Sequence, residues 1–218
     1  MNETLKKELP IIGIVLLPFV YLGSVWNSLP EQVPLHWNLN GEIDDWGSKY
    51  SLIGLVFLLP VLTYVLMLVV PKIDPKKRIE SMGGKYYQFK FILVAFMSAL
   101  ALVIIYISNN QKLSSPNMIV VLVGILFVFM GNYFKVIKQN YFIGIKTPWT
   151  LESEEVWKLT HLLAGKMWVI GGLLIVICSL VLPENINFYF FISITAVISI
   201  VPIVYSYLIY KKLKNTNQ

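Results

Sequence analysis

Phe91-Ile-Leu-Val-Ala-Phe-Met-Ser-Ala-Leu-Ala-Leu-Val-Ile-Ile-Tyr-Ile107 runs for seventeen residues without Asp, Glu, Lys, Arg or His. Its apolar side chains neither alternate as in a strand nor keep to one helical face. Crossing a hydrocarbon core of about 30 Å as a helix takes roughly 17–25 such residues. Five further stretches have the same character: Leu9–Trp26, Leu52–Val70, Met118–Phe134, Met167–Leu182 and Phe188–Tyr210. None contains a charged residue, as the cost of charge at the bilayer midplane requires. Backbone polar groups in lipid must find their partners within the segment, so each stretch is predicted to be a helix. The fifth is short and is expected to borrow Leu162–Lys166. The expected fold class is all-α, an integral membrane bundle of six transmembrane helices. The composition agrees: 56% of residues are hydrophobic and 14% charged, and the mean hydropathy is +0.68.

The cations orient the bundle. Sixteen of the eighteen Lys and Arg residues fall in the N-terminal tail and in 71–90, 135–166 and 211–218. Only Lys49 and Lys112 lie in the alternate connections, which carry Glu31, Glu42, Asp44, Asp45 and Glu184. The positive-inside rule therefore predicts cytoplasmic N- and C-termini. The pI near 9.2 is explained by topology, and no direct nucleic-acid partner is needed. Lys6 and Lys7 precede the first span in the manner of a signal peptide, but no small-x-small cleavage site follows, so a retained anchor is expected. Cys178 is the single cysteine, which excludes an internal disulfide. Pro18, Pro60 and Pro202 lie inside spans and are expected to kink them.

Three connections are long enough to carry function. The outer one holds Pro34-Leu-His36-Trp37-Asn38-Leu-Asn40-Gly41-Glu-Ile-Asp44-Asp45-Trp46. Pro30 and Pro34 exclude a regular helix through the first third of this connection, Asn40-Gly41 signals a tight turn, and its tryptophans suit the headgroup level. An acidic, aromatic flap on the outer leaflet is predicted, either a packed lid or a docking surface for a cationic or amphipathic ligand. His36 with Asp44 or Asp45 lacks the ligand spacing of a metal site, and no metal or cofactor is expected.

The first inner loop contains Lys76, Lys77 and Arg78 with Gly83-Gly84 as a hinge, a pattern that anchors against anionic lipid. The second runs Asn140-Tyr-Phe-Ile-Gly144-Ile-Lys146-Thr147-Pro148-Trp149-Thr150, followed by Trp157 and His161. Pro148 pushes Thr147 toward an extended conformation. Thr150 is the expected N-cap of a short amphipathic helix whose buried face holds Trp157, His161 and Leu162, turning at Gly165 into span five. His161 with Glu154 or Glu155 could form an acid–base pair, but no nucleophile motif, phosphate loop or ligand cluster accompanies it. An enzyme is not expected. A proton-coupled transporter is disfavoured too, because no ionisable residue lies at midplane.

Two motifs carry a resemblance. Pro34-Leu-His36-Trp37-Asn38-x-x-Gly41-x-x-Asp44, placed between the first two spans, is similar to the DUF1648 module of bacterial membrane proteins. Gly131-Asn132, the Asn140–Leu151 stretch, Trp157 and His161-x-x-x-Gly165-Lys166 resemble the SdpI family motif. In this order the chain resembles SdpI-type immunity proteins, with a DUF1648-type module over residues 1–90 and an SdpI-type module over 91–218. The resemblance implies a multi-pass protein of the bacterial plasma membrane that gives resistance to a secreted, membrane-active toxic peptide. It also implies signalling, in which the immunity protein holds a cytoplasmic transcriptional repressor at the membrane. On this basis Pro34, His36, Trp37, Asn38, Gly41 and Asp44 become candidate toxin-facing residues. Lys76, Lys77, Arg78, Asn140, Gly144, Lys146, Thr147, Pro148, Trp149, Thr150, Trp157 and His161 become candidate partner-facing residues. A small transporter or exporter of a peptide or small molecule is the alternative.

Overall fold

The computed structural model describes residues 3–38, 42–110 and 117–216, with side chains from residue 6 onward. Six helices among the described residues are long and apolar enough to cross a membrane: Lys6–Val25, Ser51–Ile73, Gly84–Asn109, Asn117–Phe134, Glu154–Val181 and Glu184–Thr216. Each contains one of the stretches read from the sequence or nearly all of it. Their outward faces are apolar, with Leu180 and Val181 more than 70% exposed. Surfaces of that kind are stable only against lipid.

In chain order the helices are α1 (Glu3–Val25), α2 (Ser51–Val56), α3 (Leu62–Ile73), α4 (Gly84–Asn109), α5 (Asn117–Phe134), α6 (Pro148–Glu152), α7 (Glu154–Val181) and α8 (Glu184–Thr216). α2 and α3 form one span, joined by a π-helical turn over Phe57–Val61 that contains Pro60. Proline supplies no N–H, and the wider turn accommodates the missing hydrogen bond. α1 and α8 remain helical through Pro18 and Pro202.

Between α1 and α2 the chain forms an antiparallel hairpin, β1 (Gln32–Trp37) with β2 (Ile43–Ser48). The all-α expectation misses this small sheet. Gln32 pairs with Ser48, Pro34 with Trp46 and Trp37 with Ile43, with register shifts on either side of His36. Both strands are edges, so Pro34 is tolerated despite its missing donor. Val33 is fully buried and packs with Leu22, Leu29, Leu52, Val56 and Ile105, which seats the hairpin on the ends of α1, α2 and α4.

α4 packs along α1, around Ile11, Val15 and Val94. At one end of that seam Lys90 Nζ lies 2.5 Å from Glu8 Oε1, and both side chains are largely buried. Tyr64 donates to Glu8 Oε2 at 3.1 Å, and the Tyr64 and Tyr87 rings flank the ammonium group. A buried pair with such satisfied surroundings is tolerated where either charge alone is not. The apolar stretches begin one residue beyond both members, at Leu9 and Phe91, so neither charge interrupts a span in the sequence.

α5 and α7 meet through two glycine pairs. A Cβ on Gly131 would lie 2.7 Å from the Gly165 carbonyl oxygen, and one on Gly172 would lie 2.6 Å from that of Gly124. Backbones approach this closely only where no side chain intervenes, a usual device of helix packing in lipid. α7 packs on α8 in turn.

Candidate functional site

At the hairpin end, His36 and Asp44 face each other across the strands, with Nδ1 and Oδ1 2.6 Å apart and both side chains exposed. The Asn38 side chain closes the turn, accepting from the Glu42 N–H at 3.0 Å and donating to the Glu42 carboxylate at 2.9 Å. Pro34 is buried beside Val33, and Trp37 is half-buried. Gly41 and the Asn40-Gly41 turn lie outside the described residues. Lys49 binds Glu31 at 2.9 Å and lies over the Trp26 ring, which stacks edge-on with Tyr50. The flap is therefore held by its own pairs along one rim. Glu184 and Asn187, at the start of α8, lie across a gap from β1.

The opposite end holds a knot of loop 135–153 against α7. Asn140 is 1% exposed and fully paired: its Oδ1 accepts from the Phe142 and Ile143 N–H groups at 2.7 Å, and its Nδ2 donates to Lys138 and Ile143 carbonyls. A side chain that forms both halves of such a turn fixes the chain locally. Gly144 then adopts φ +111°, a conformation that disfavours any side chain. A Cβ there would lie 2.5 Å from His161 Nε2.

His161 is buried and bridges loop and helix. Its Nε2 accepts from the Ile145 N–H at 3.0 Å, and its Nδ1 faces the Trp157 carbonyl at 2.8 Å. One nitrogen must donate and the other accept, which defines the neutral Nδ1–H imidazole. Trp157 stacks on the ring at 4.1 Å and donates from Nε1 to the Ile137 carbonyl at 2.8 Å. The acid–base pairing considered for His161 is therefore absent among the described contacts, because both ring nitrogens already face backbone groups.

Pro148 sits just inside α6, and Thr147 is extended at φ −113°, ψ 160°, as the sequence predicted. Thr150 does not cap α7. It is the third residue of α6, where its hydroxyl accepts from the Thr147 N–H at 2.8 Å and the Thr147 hydroxyl accepts from its N–H at 3.2 Å. Ser153 caps α7 instead, because α6 inserts one short turn before the long helix begins. Glu154 and Glu155 occupy the first turn of α7, where the helix dipole favours acids. The expected turn at Gly165 is absent: α7 runs unbroken from Glu154, and Gly165 serves the contact with Gly131. Leu162 is 40% exposed and does not share the buried face of Trp157 and His161.

The three basic residues of the first inner loop diverge. Arg78 donates to Gln139 Oε1 at 3.2 Å and pairs with Glu154. Lys76 lies over the Tyr141 ring, and Lys77 takes the positive-φ position of a turn. Lys146 is exposed and reaches the Tyr141 and Phe142 carbonyls. Trp149 Nε1 donates to the Ser206 hydroxyl, and Tyr210 donates to Glu152 at 2.8 Å, so α8 holds the knot from its far side. Gln139 ties the loop to α6 through the Thr150 and Leu151 carbonyls. Beside the knot is a cleft of about 770 Å³ whose rim carries Arg78, Lys135, Lys138, Lys158, Glu154 and Glu155.

The sequence resembles known proteins along most of its length. Residues 136–206 match the SdpI/YfhL protein family, and residues 13–63 match a domain of unknown function, DUF1648. Over 212 residues the chain is 27% identical to immunity protein SdpI of Bacillus subtilis (strain 168), covering 97% of this chain and 100% of that protein. The chain is therefore similar to SdpI-type proteins over nearly its whole length. With six described helices long and apolar enough to span a bilayer, it is a multi-pass protein of the bacterial plasma membrane. No solved structure matches it. Within the SdpI-type motif the inward-facing residues, Asn140, Gly144, Thr147, Thr150, Trp157 and His161, hold the loop together.

Sequence reading missed Gln139, the Arg78–Glu154 bridge and the glycine seam. Only the seam had a usable signal: Gly124 and Gly131 are seven residues apart, and so are Gly165 and Gly172. Two helical turns separate each pair, which places both glycines on one face.

Proposed function

We propose that this protein is a non-enzymatic membrane immunity protein that protects its cell from a secreted, membrane-active peptide. The observation that carries the reading is full-length similarity to immunity protein SdpI, extending over spans, hairpin and knot alike. The hairpin end faces outward and both termini lie in the cytoplasm, a reading supported by the distribution of lysines and arginines. An acidic, aromatic hairpin then meets a cationic amphipathic peptide before that peptide reaches the bilayer.

On the cytoplasmic side, the cleft beside the knot offers mixed charge around an aromatic wall, a surface suited to holding a repressor. A ligand at the hairpin alters that surface only through a difference in its affinity for two packings of the bundle. Immunity by sequestration requires no such change. The residue pattern favours this reading over a transporter, since the Glu8–Lys90 pair lies near helix ends and is mutually satisfied.

Survival of sensitive cells with and without the protein, under a panel of secreted peptides, tests immunity directly. Protection against at least one peptide that persists when the proton gradient is collapsed is the expected result. Protection that vanishes with the gradient would establish transport instead, and protection against none would remove the immunity reading.

A further inference from the structure

The hairpin does not lie flush on the bundle. Between β1 and the adjacent ends of α5 and α8 is a cleft of about 230 Å³, with Leu35, Trp37, Val123, Glu184, Asn187 and Phe191 among its walls. Its walls are mostly apolar, with a few convergent polar groups, the composition of a recognition pocket.

Three features give it chemistry. Asn187 is 1% exposed and is fixed as part of the floor, donating to Asn117 at 2.7 Å and accepting from the Ser179 hydroxyl at 3.3 Å. The Trp37 indole N–H is buried and has no acceptor among the described residues. Native proteins rarely leave such a donor unpaired, and each exception calls for a cause. Glu184, half-buried in the first turn of α8, has no cationic partner among the described residues. Of the other hairpin-end carboxylates, Glu31 binds Lys49, Asp44 faces His36 and Glu42 binds Asn38, while Asp45 is exposed on β2 and does not line the cleft.

We propose that this cleft, beneath the flap rather than on its outer face, is where the toxic peptide is recognised. It takes one apolar side chain of a cationic amphipathic peptide, whose backbone carbonyl accepts from Trp37 Nε1 and whose lysine or arginine pairs with Glu184. The charge selects this occupant. A phospholipid tail could fill the apolar wall, but its phosphate would then sit beside the Glu184 carboxylate and be repelled by it. The proposal rests on the immunity reading for the source of the peptide.

The test uses the full-length protein in phosphatidylcholine nanodiscs, with a fluorescent synthetic amphipathic helix of lysine and leucine as probe. Saturable binding above protein-free discs is expected. Glu184→Gln and Val123→Phe, which fills the cleft, should each weaken it about tenfold, the scale of one lost charge-assisted contact. Trp37→Phe keeps the ring and removes the donor. It should weaken binding about threefold or more while leaving the thermal midpoint of the free protein unchanged or higher, since an unpaired N–H has been removed. A merely structural Trp37 would lower that midpoint instead.

Should Val123→Phe fail to fold, Glu184→Gln, at the half-buried rim of the cleft, decides. Wild-type affinity in Glu184→Gln and Trp37→Phe would overturn the proposal, as would binding no better than to bare discs. Displacement of the probe by added phosphatidylglycerol, abolished by the same variants, would assign the cleft to lipid and overturn it too. Survival assays at equal membrane abundance separate the two readings. Wild-type protection that persists in the cleft variants but is lost in Trp46→Ala places recognition on the outer face and leaves immunity standing. Cleft-dependent probe binding without protection against any peptide supports the site and removes immunity.

Discussion

Gly144→Ala tests whether the knot is built as the geometry indicates. The new methyl group would require a non-glycine residue at φ +111° and would stand 2.5 Å from His161 Nε2 and 3.1 Å from the Trp157 ring. Backbone strain of that kind costs on the order of 1–3 kcal/mol. Relief requires His161 to move, which breaks its bond from the Ile145 N–H, a further ~1 kcal/mol. The sum is about 3 kcal/mol, equivalent to a fall of roughly 6–12 °C in thermal midpoint for a chain of this size. Thermal denaturation of purified protein in detergent, followed by tryptophan fluorescence, measures it. His161→Ala in the same background removes the obstructing atom, so the double variant should lose about 1 kcal/mol less than the sum of the singles. A midpoint within 2 °C of wild type for Gly144→Ala, or strict additivity with His161→Ala, would refute the reasoning.

The buried pair gives a second prediction. Lys90→Met leaves the Glu8 carboxylate without its partner and should cost about 3–5 kcal/mol, whereas Lys90→Met with Glu8→Leu should recover most of that loss in the same melt. At the glycine seam, Gly131→Val places side-chain atoms within reach of the α7 backbone. It should lower the midpoint by several degrees, an effect of about 2 kcal/mol or more, while Gly13→Val, with open space around it, should be nearly neutral. Trp157→Phe preserves the stack on His161 but orphans the Ile137 carbonyl, and should cost about 1–2 kcal/mol by denaturation. Topology is checked by labelling whole cells with a membrane-impermeant maleimide after Asp45→Cys or Lys146→Cys in a Cys178→Ser background: the first should react and the second should not until the cells are opened.

The spans were legible because lipid imposes one rule on every residue of a segment: remain apolar and close each backbone hydrogen bond locally. Leu52–Val70 satisfies that rule whatever packs beside it, and only the π turn at Pro60 has no signature in the apolar pattern. The knot was half legible. Pro148 fixed the conformation of Thr147 because that effect acts between neighbours. The cap of α7 was misplaced because Ser153 and Thr150 are equally good capping residues, and the choice depends on Gln139 and Ile145 reaching Thr150 across the loop. The hairpin was visible as a turn with proline-rich flanks, but its strands alternate poorly because Val33 and Pro34 are buried side by side. Arg78–Glu154 and Glu8–Lys90 join residues 76 and 82 positions apart, a separation over which no local pattern operates.

That last separation sets a timetable for synthesis. Glu8 leaves the ribosome 82 residues ahead of Lys90. At elongation rates of about 5–20 residues per second, its carboxylate waits roughly 4–16 s for a counter-charge. During that interval its partners are water, lipid headgroups and, once α3 has emerged, the neutral Tyr64 hydroxyl, so drawing it deeper would expose an uncompensated charge to hydrocarbon. The N-terminal end of α1 is therefore held at the interface until the fourth helical segment emerges. The first membrane crossing is completed as a pair, with the third span arriving as its delayed counterpart.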